Sequence, residues 1–346
     1  MIEINVGIAL SDMHSADMSG GLRVPEDLAA YAREYRAIMG ADRVFFELQP
    51  EDLFARPARY PDQFRHRLAN RWMRTLRTGR EFRHFVFHER PRLGVHMPTV
   101  AKDPLSSNFF GKHAALEEIK RAMDFAGNIH ADYFVVHLAT KDKWTWERSD
   151  QIAKGMKIFK EIAVHYATKG FQFTPVIEVL PYPRFPAHGG ELVFIFNQAH
   201  HVLSKTRIAF NISHLWQSWQ RMLAVGLWDP DVSFLHHLEY SLSHVWEMVH
   251  VFQLGGCWES ETHAIPGLHP QQNPFEHVLK LRESPGVYAE SGEMDLNGVF
   301  DLLVSYTVAR GRPLNLVLDV RDRDMLQVLE AASRIRRDLL DRAGVV

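Results

Sequence analysis

The sequence has few of the features that would assign its class at once. Among 346 residues there is one cysteine, Cys257. A lone thiol cannot close an internal disulfide, so a reducing, cytoplasmic setting is expected. No apolar run approaches the roughly 18 residues needed to span a bilayer. The opening residues, MIEINVGIALSD, carry an acid at position 3 and no basic leader, so a secretory signal is not expected. Charge of one sign is also missing. The formal net charge is −2, which gives the chain as a whole no pull on polyanions. No glycine-rich phosphate loop follows the first β-rich run. No repeat, low-complexity tract or linker divides the chain.

Apolar residues make up 46% of the sequence, enough for a large core. Eight short β-rich runs recur at 4–10, 43–48, 92–97, 132–138, 173–180, 207–213, 248–254 and 314–320. Several are apolar on both faces, as in strands buried from both sides. Helix-patterned segments separate them, among them 24–40, 113–130, 150–170 and 325–343. This alternation predicts an α/β fold, a single (β/α)8 TIM-barrel domain over residues 1–346. An open doubly wound sheet is the alternative. A barrel also requires functional residues to lie at the carboxyl ends of its strands.

Two segments exceed a minimal barrel. Residues 55–92 hold eleven arginines, no lysine and three acids; that is +8, leaving −10 for the rest of the chain. The segment reads as a solvated helix or an interface between copies of the chain, as amphipathic packing around its aromatics, or as a phosphate contact. Residues 268–291 read as an excursion after the seventh strand.

Twenty histidines is a high count. His200, His201, His236 and His237 fall in helix-like segments and are expected at the surface or in caps. Those at strand ends are more informative. Strand three ends at His96, strand four at His137 and strand five at Glu178. Strand six ends at Asn211 and His214. Strand seven carries His250, followed by Glu261 and His263, and strand eight ends at Asp319. Carboxylates gathered in a barrel mouth are costly to desolvate unless a cation compensates them. Mixed imidazole and carboxylate ligands suit zinc, manganese, iron or cobalt, with magnesium also open. One to three ions are expected. Cys257 reads as a small packing residue.

In this order the strand ends resemble a known superfamily, the xylose isomerase-like barrels. It includes sugar isomerases and epimerases, the endonuclease IV family and some dehydratases. HMPTVAKDPLSSN, ADYFVVHLAT, VIEVLP, FNISH and ETHAIPG carry the likeness, with GEMDLNGVFDLL at 292–303; it spans roughly residues 90–320. The resemblance implies a shared metal position at Glu178, Asn211, His250 and Asp319. It further implies a second position at His96 and His137, and a third at His214, Glu261 and His263. The chain departs from the pattern in having Asn211 for an aspartate, Asp319 for a glutamate, and Gln253 after strand seven.

The function expected is a metal-dependent isomerase or epimerase of a sugar, sugar phosphate or polyol, with Glu178 and Asp319 moving the proton next to a metal-polarised carbonyl. Trp216, Arg321 and Glu47 are candidate substrate contacts. A small sugar-like partner is expected, ahead of nucleic acid. The alternatives are a multinuclear phosphoesterase resembling endonuclease IV, a dehydratase of the same superfamily, and a barrel with a purely structural metal.

Overall fold

The structure is a computed structural model. It describes residues 2–11, 27–50, 71–98, 104–105, 109–139, 148–224, 226–263, 278–284, 294–319 and 325–344, with 256–263 and 278–284 described for their backbone alone.

Eight parallel strands close into a barrel: β1 (Ile4–Ser11), β2 (Phe45–Gln49), β3 (Arg92–His96), β4 (Tyr133–Val136), β5 (Thr174–Glu178), β6 (Arg207–Asn211), β7 (Val249–Leu254) and, last in the chain, β10 (Leu314–Leu318). Each expected run supplies one of these strands. Going round, β1 lies between β2 and β10, and β10 lies against β7. Strands such as β4 and β10 are buried at every position. The reason is geometric: one face fills the barrel and the other lies under helices, so neither face meets solvent.

The covering helices are α1 (Leu28–Met39), α2 (Arg71–Thr78), α3 (Arg80–His88), α4 (Phe109–Asn128), α5 (Arg148–Lys169), α6 (Gly189–Val202), α7 (Ile212–Ala224), α8 (Phe234–Val245), α9 (Leu296–Arg310) and α10 (Met325–Arg342). Their ends follow local chemistry. Gly40 takes a left-handed φ of 58° and closes α1 with an N–H bond to Arg36. The Asp295 side chain caps α9 through Gly298 N–H, and Ser233 caps α8 through His236 N–H. Among the described residues, no helix is long and apolar enough to cross a membrane.

The described part of the arginine-rich segment is amphipathic. Trp72, Phe82, Phe85 and Val86 are buried, while Arg77, Arg80 and Arg83 are exposed. Trp72 meets Phe125 of α4 edge-on at 5.5 Å. Residues 55–70 lie outside the described residues. The excursion after the seventh strand includes an arm of an antiparallel hairpin, β8 (Gly256–His263) with β9 (Val278–Ser284), separate from the barrel sheet.

Inside the barrel, Gly94 of β3 is required by its neighbour. A Cβ there would lie 2.1 Å from Tyr133 Cζ. With no side chain at 94, the Tyr133 ring crosses the interior and its hydroxyl bonds Glu47 Oε2 at 2.9 Å.

Candidate metal centre and barrel mouth

Glu178 ends β5 and organises one side of the mouth. Its Oε2 lies 3.0 Å from His96 Nε2, at the end of β3, and 2.5 Å from His137 Nε2, just past β4. Its Oε1 accepts from Asn211 Nδ2 at 3.0 Å and faces His214 Nδ1 at 3.0 Å. Asn211 ends β6, and the Asn211 oxygen accepts the His214 N–H in the first turn of α7. Glu178 is 1% exposed, and the surrounding histidines and Asn211 are buried too. The strands place the group directly, because residues at the carboxyl ends of β3, β4, β5 and β6 lie side by side on one rim.

These groups settle into one charge pair. Burial alone would raise the Glu178 carboxyl. The field and hydrogen bond of His137, then bonds from His214 and His96, outweigh burial and hold it well below the usual carboxylate range. Burial would lower His96, but the bond and charge of Glu178, with Glu47 and the Met97 carbonyl, raise it to about 10. Burial takes His137 down to about 4, further than Glu178 lifts it.

A second polar group occupies the rest of the mouth. Glu47 of β2 is 0% exposed. It accepts from Gln253 Nε2 of β7 on Oε1 at 3.0 Å and on Oε2 at 3.2 Å, besides the Tyr133 hydroxyl. Asp319, just beyond β10, accepts from Gln49 Nε2 at 3.3 Å, and its N–H bonds the Leu254 carbonyl.

The structure therefore brings together His96, His137, Glu178, Asn211 and His214, and places Asp319 and Glu47 at the same end of the barrel. It does not bring His250 there. His250 is the second residue of β7 and lies at a bulge, where Ile208 pairs with Val249 and Ala209 with Val251. The residue facing Asn211 in register is Gln253, three positions, or roughly 10 Å, further along the strand. The His250 ring packs edge-on to Tyr133 at 5.5 Å, and its carbonyl accepts from Asn315 near the amino end of β10. Trp216 is also corrected. It is 1% exposed within the main apolar core, so it has no ring face for a ligand. Glu261 and His263 pair with Lys280 and Val278 along the hairpin that follows β7. Arg321 lies outside the described residues. His237, expected at the surface, is 1% exposed, with Trp228 edge-on at 4.5 Å.

Among the described residues, one group of ligand atoms could hold a metal: His96, His137 and Glu178, all within 4.8 Å of one another. The donor set fits a divalent cation. Two imidazole nitrogens and one carboxylate oxygen suit zinc, iron, cobalt or manganese. The second ring nitrogen supports this. His96 Nδ1 bonds the Met97 carbonyl at 2.6 Å, so in the neutral ring the proton would sit on Nδ1 and Nε2 would face the ion. The neighbouring position fits less well, since Asn211 turns its N–H toward Glu178 and Gln253 turns its N–H toward Glu47.

No protein-family model matches the sequence. No curated protein matches it either. Solved structures do match over nearly their whole length. A 3-keto-D-glucoside 4-epimerase, YcjR, from E. coli shares 11% identity at a TM-score of 0.55, covering 97% of this chain and 100% of that one. A D-psicose 3-epimerase from Clostridium cellulolyticum, solved with D-tagatose, shares 12% at 0.55, covering 99% of each. The chain shares with these structures the fold of a closed eight-stranded parallel barrel. A Thermus thermophilus protein soaked with zinc chloride shares that fold at 15% identity and a TM-score of 0.54, covering 97% of this chain and 98% of that one.

Tyr133, Gln49 and the Glu47–Gln253 pairing were not identified as site features from the sequence. The available signal was weak: Gln253 stands out only as a polar residue in an otherwise apolar strand end.

Proposed function

We propose that the chain is a divalent-cation-dependent isomerase or epimerase of a sugar, sugar phosphate or related polyol. The observation that carries this reading is the buried His96–His137–Glu178 corner, set at the carboxyl rim of a barrel whose fold is also that of sugar epimerases. A bound divalent cation supplies Lewis acidity, polarising a carbonyl and stabilising the negative charge of an enediolate.

The chain's residues divide the remaining work. His96, His137 and Glu178 would hold the ion. Asn211 and His214 fix the far oxygen of Glu178, so that its near oxygen stays turned toward the two imidazoles. Burial of the corner keeps water from screening it. Gln49 and Asp319, on the other side of the mouth, offer an amide and a carboxylate, groups that match sugar hydroxyls in hydrogen bonding.

The test uses D-fructose, D-psicose and D-tagatose with manganese- or zinc-loaded protein in D2O. Deuterium should enter at carbon next to the carbonyl, and stripping the metal should stop it. No exchange with any of the three sugars under any metal would contradict the reading.

A further inference from the structure

We infer that the amino-terminal end of the barrel, opposite the metal corner, binds a small oxyanion such as a phosphate group, with Arg92 and His250 as its main donors. This site does not depend on the isomerase reading. The metal corner is built at the carboxyl ends of its strands. The residues concerned here begin theirs. Arg92 is the first of β3 and Arg207 the first of β6, while Asn5, His250 and Asn315 are the second of β1, β7 and β10. Parallel strands bring them to one rim.

The Arg92 side chain crosses the barrel. Its Nη1 donates to Asn315 Oδ1 at 2.6 Å, although β1 and β2 lie between β3 and β10. Its guanidinium carbon lies 5.0 Å over the Phe45 ring. Asn5 Nδ2 donates to the same oxygen at 3.1 Å, and Asn315 Nδ2 donates to the His250 carbonyl at 3.0 Å. One amide therefore ties the guanidinium to the His250 backbone. A brace to a neutral amide needs an N–H but no charge. Yet Arg92 is part-buried and, among the described residues, has no carboxylate partner. Neither has Arg207, whose bonds go to the Ser204 and Thr206 carbonyls. The acids at this end are engaged elsewhere. Glu3 accepts from Asn5 at 2.7 Å. Asp132 accepts the Leu93 N–H at 2.8 Å and faces Arg43 at 3.7 Å, and Glu247 pairs with Arg310 and Arg312.

His250 is the independent sign. Its Nε2 is buried and has no hydrogen-bond partner among the described residues. Burial, then the charges of Arg92 and Arg207, lower the ring to about 4, so it is neutral at pH 7. In that form Nε2 can carry the proton and donate it without adding a third cation. An orphaned nitrogen within the field of two guanidinium groups that lack a counter-charge is costly, and a bound anion relieves both costs. The planar fork of arginine matches a pair of phosphate oxygens. The Tyr133 ring, edge-on to His250 at 5.5 Å with its hydroxyl on Glu47, stands between this site and the mouth.

The probe is inorganic phosphate, titrated calorimetrically at constant ionic strength into zinc-loaded protein. Wild type should bind one phosphate per chain. Arg92→Gln, which keeps an N–H for Asn315, should weaken that binding about tenfold or more. Arg77→Gln, on the exposed side of α2, should bind as wild type does. No saturable binding in wild type overturns the site, as does equal affinity in Arg92→Gln. A loss in Arg77→Gln as large as in Arg92→Gln also overturns it, since that marks general attraction to arginine. The second measurement uses the unaltered chain, so a misfolded variant leaves the test intact: histidine-ring NMR during the same titration. Phosphate should move the His250 ring signals, assigned by their absence from His250→Gln, and leave those of His84 in place. Unmoved His250 signals overturn the proposal, whether phosphate moves His96 and His137 at the metal corner or no histidine at all.

Discussion

Asn211 presents its amide nitrogen, not its oxygen, to Glu178: Nδ2 donates to Oε1 at 3.0 Å while the oxygen accepts the His214 N–H. The assignment follows from chemistry, since a carboxylate requires a donor and a backbone N–H requires an acceptor. An uncharged side chain at 211 lets Glu178 stay ionised without a second anion beside it.

Replacing that amide by a carboxylate should therefore separate the metal-free and metal-bound states. Asn211→Asp puts two anions in contact and removes a hydrogen bond. We expect the metal-free variant to lose about 1–3 kcal/mol. The same variant should gain more melting temperature on adding manganese or zinc than wild type does. Calorimetric scans with and without chelator measure both effects; equal metal-induced shifts in the two proteins would count against the placement of the ion.

Gly94 gives a test of the interior. Alanine there would bring a Cβ to 2.1 Å from Tyr133 Cζ, and an aromatic ring cannot flex away as a long aliphatic chain can. Gly94→Ala should cost about 3 kcal/mol or more in urea unfolding. Gly94→Ala combined with Tyr133→Leu should recover part of that loss. If the single variant unfolds like wild type, Tyr133 does not fill the space over Gly94.

His237 sets an acid limit on stability. Burial, with the charges of His188 and His236, lowers its pKa from 6.5 to about 4, and it is 1% exposed. The unfolded chain binds the proton below pH 6.5 and the folded chain does not until about 4. Stability is thus full above 6.5 and falls as pH drops through that window, by about 3 kcal/mol from this residue. His237→Met should flatten the acid limb of a stability–pH curve by that amount; an unchanged limb contradicts the assignment.

The barrel was legible because its strands are apolar on both faces, a pattern only a doubly covered strand needs. His96, His137 and Glu178 were legible for a related reason: a polar residue ending such a run has only the rim to occupy. What failed depended on geometry that a linear string does not carry. His250 was misplaced because a bulge and the true end of β7 put Gln253, not His250, opposite Asn211. Trp216 follows the β6 motif in sequence, yet the helix turns its ring into the core. Glu47 was read as a candidate substrate contact, but its pairing with Gln253 gave little warning, since the two lie 206 positions apart. His237 resembles its exposed neighbour His236 until the helix phase shows which of the two faces inward.

The placement of the cation is tested most directly by metal content. Protein loaded with zinc or manganese and then dialysed should retain one ion per chain. His96→Ala, His137→Ala and Glu178→Ala should each lose it while still folding, and Asp319→Asn and His250→Ala should keep it. Retention by Glu178→Ala, or loss by His250→Ala with the His96 variant unaffected, would contradict the placement of the ion at the β3–β5 corner.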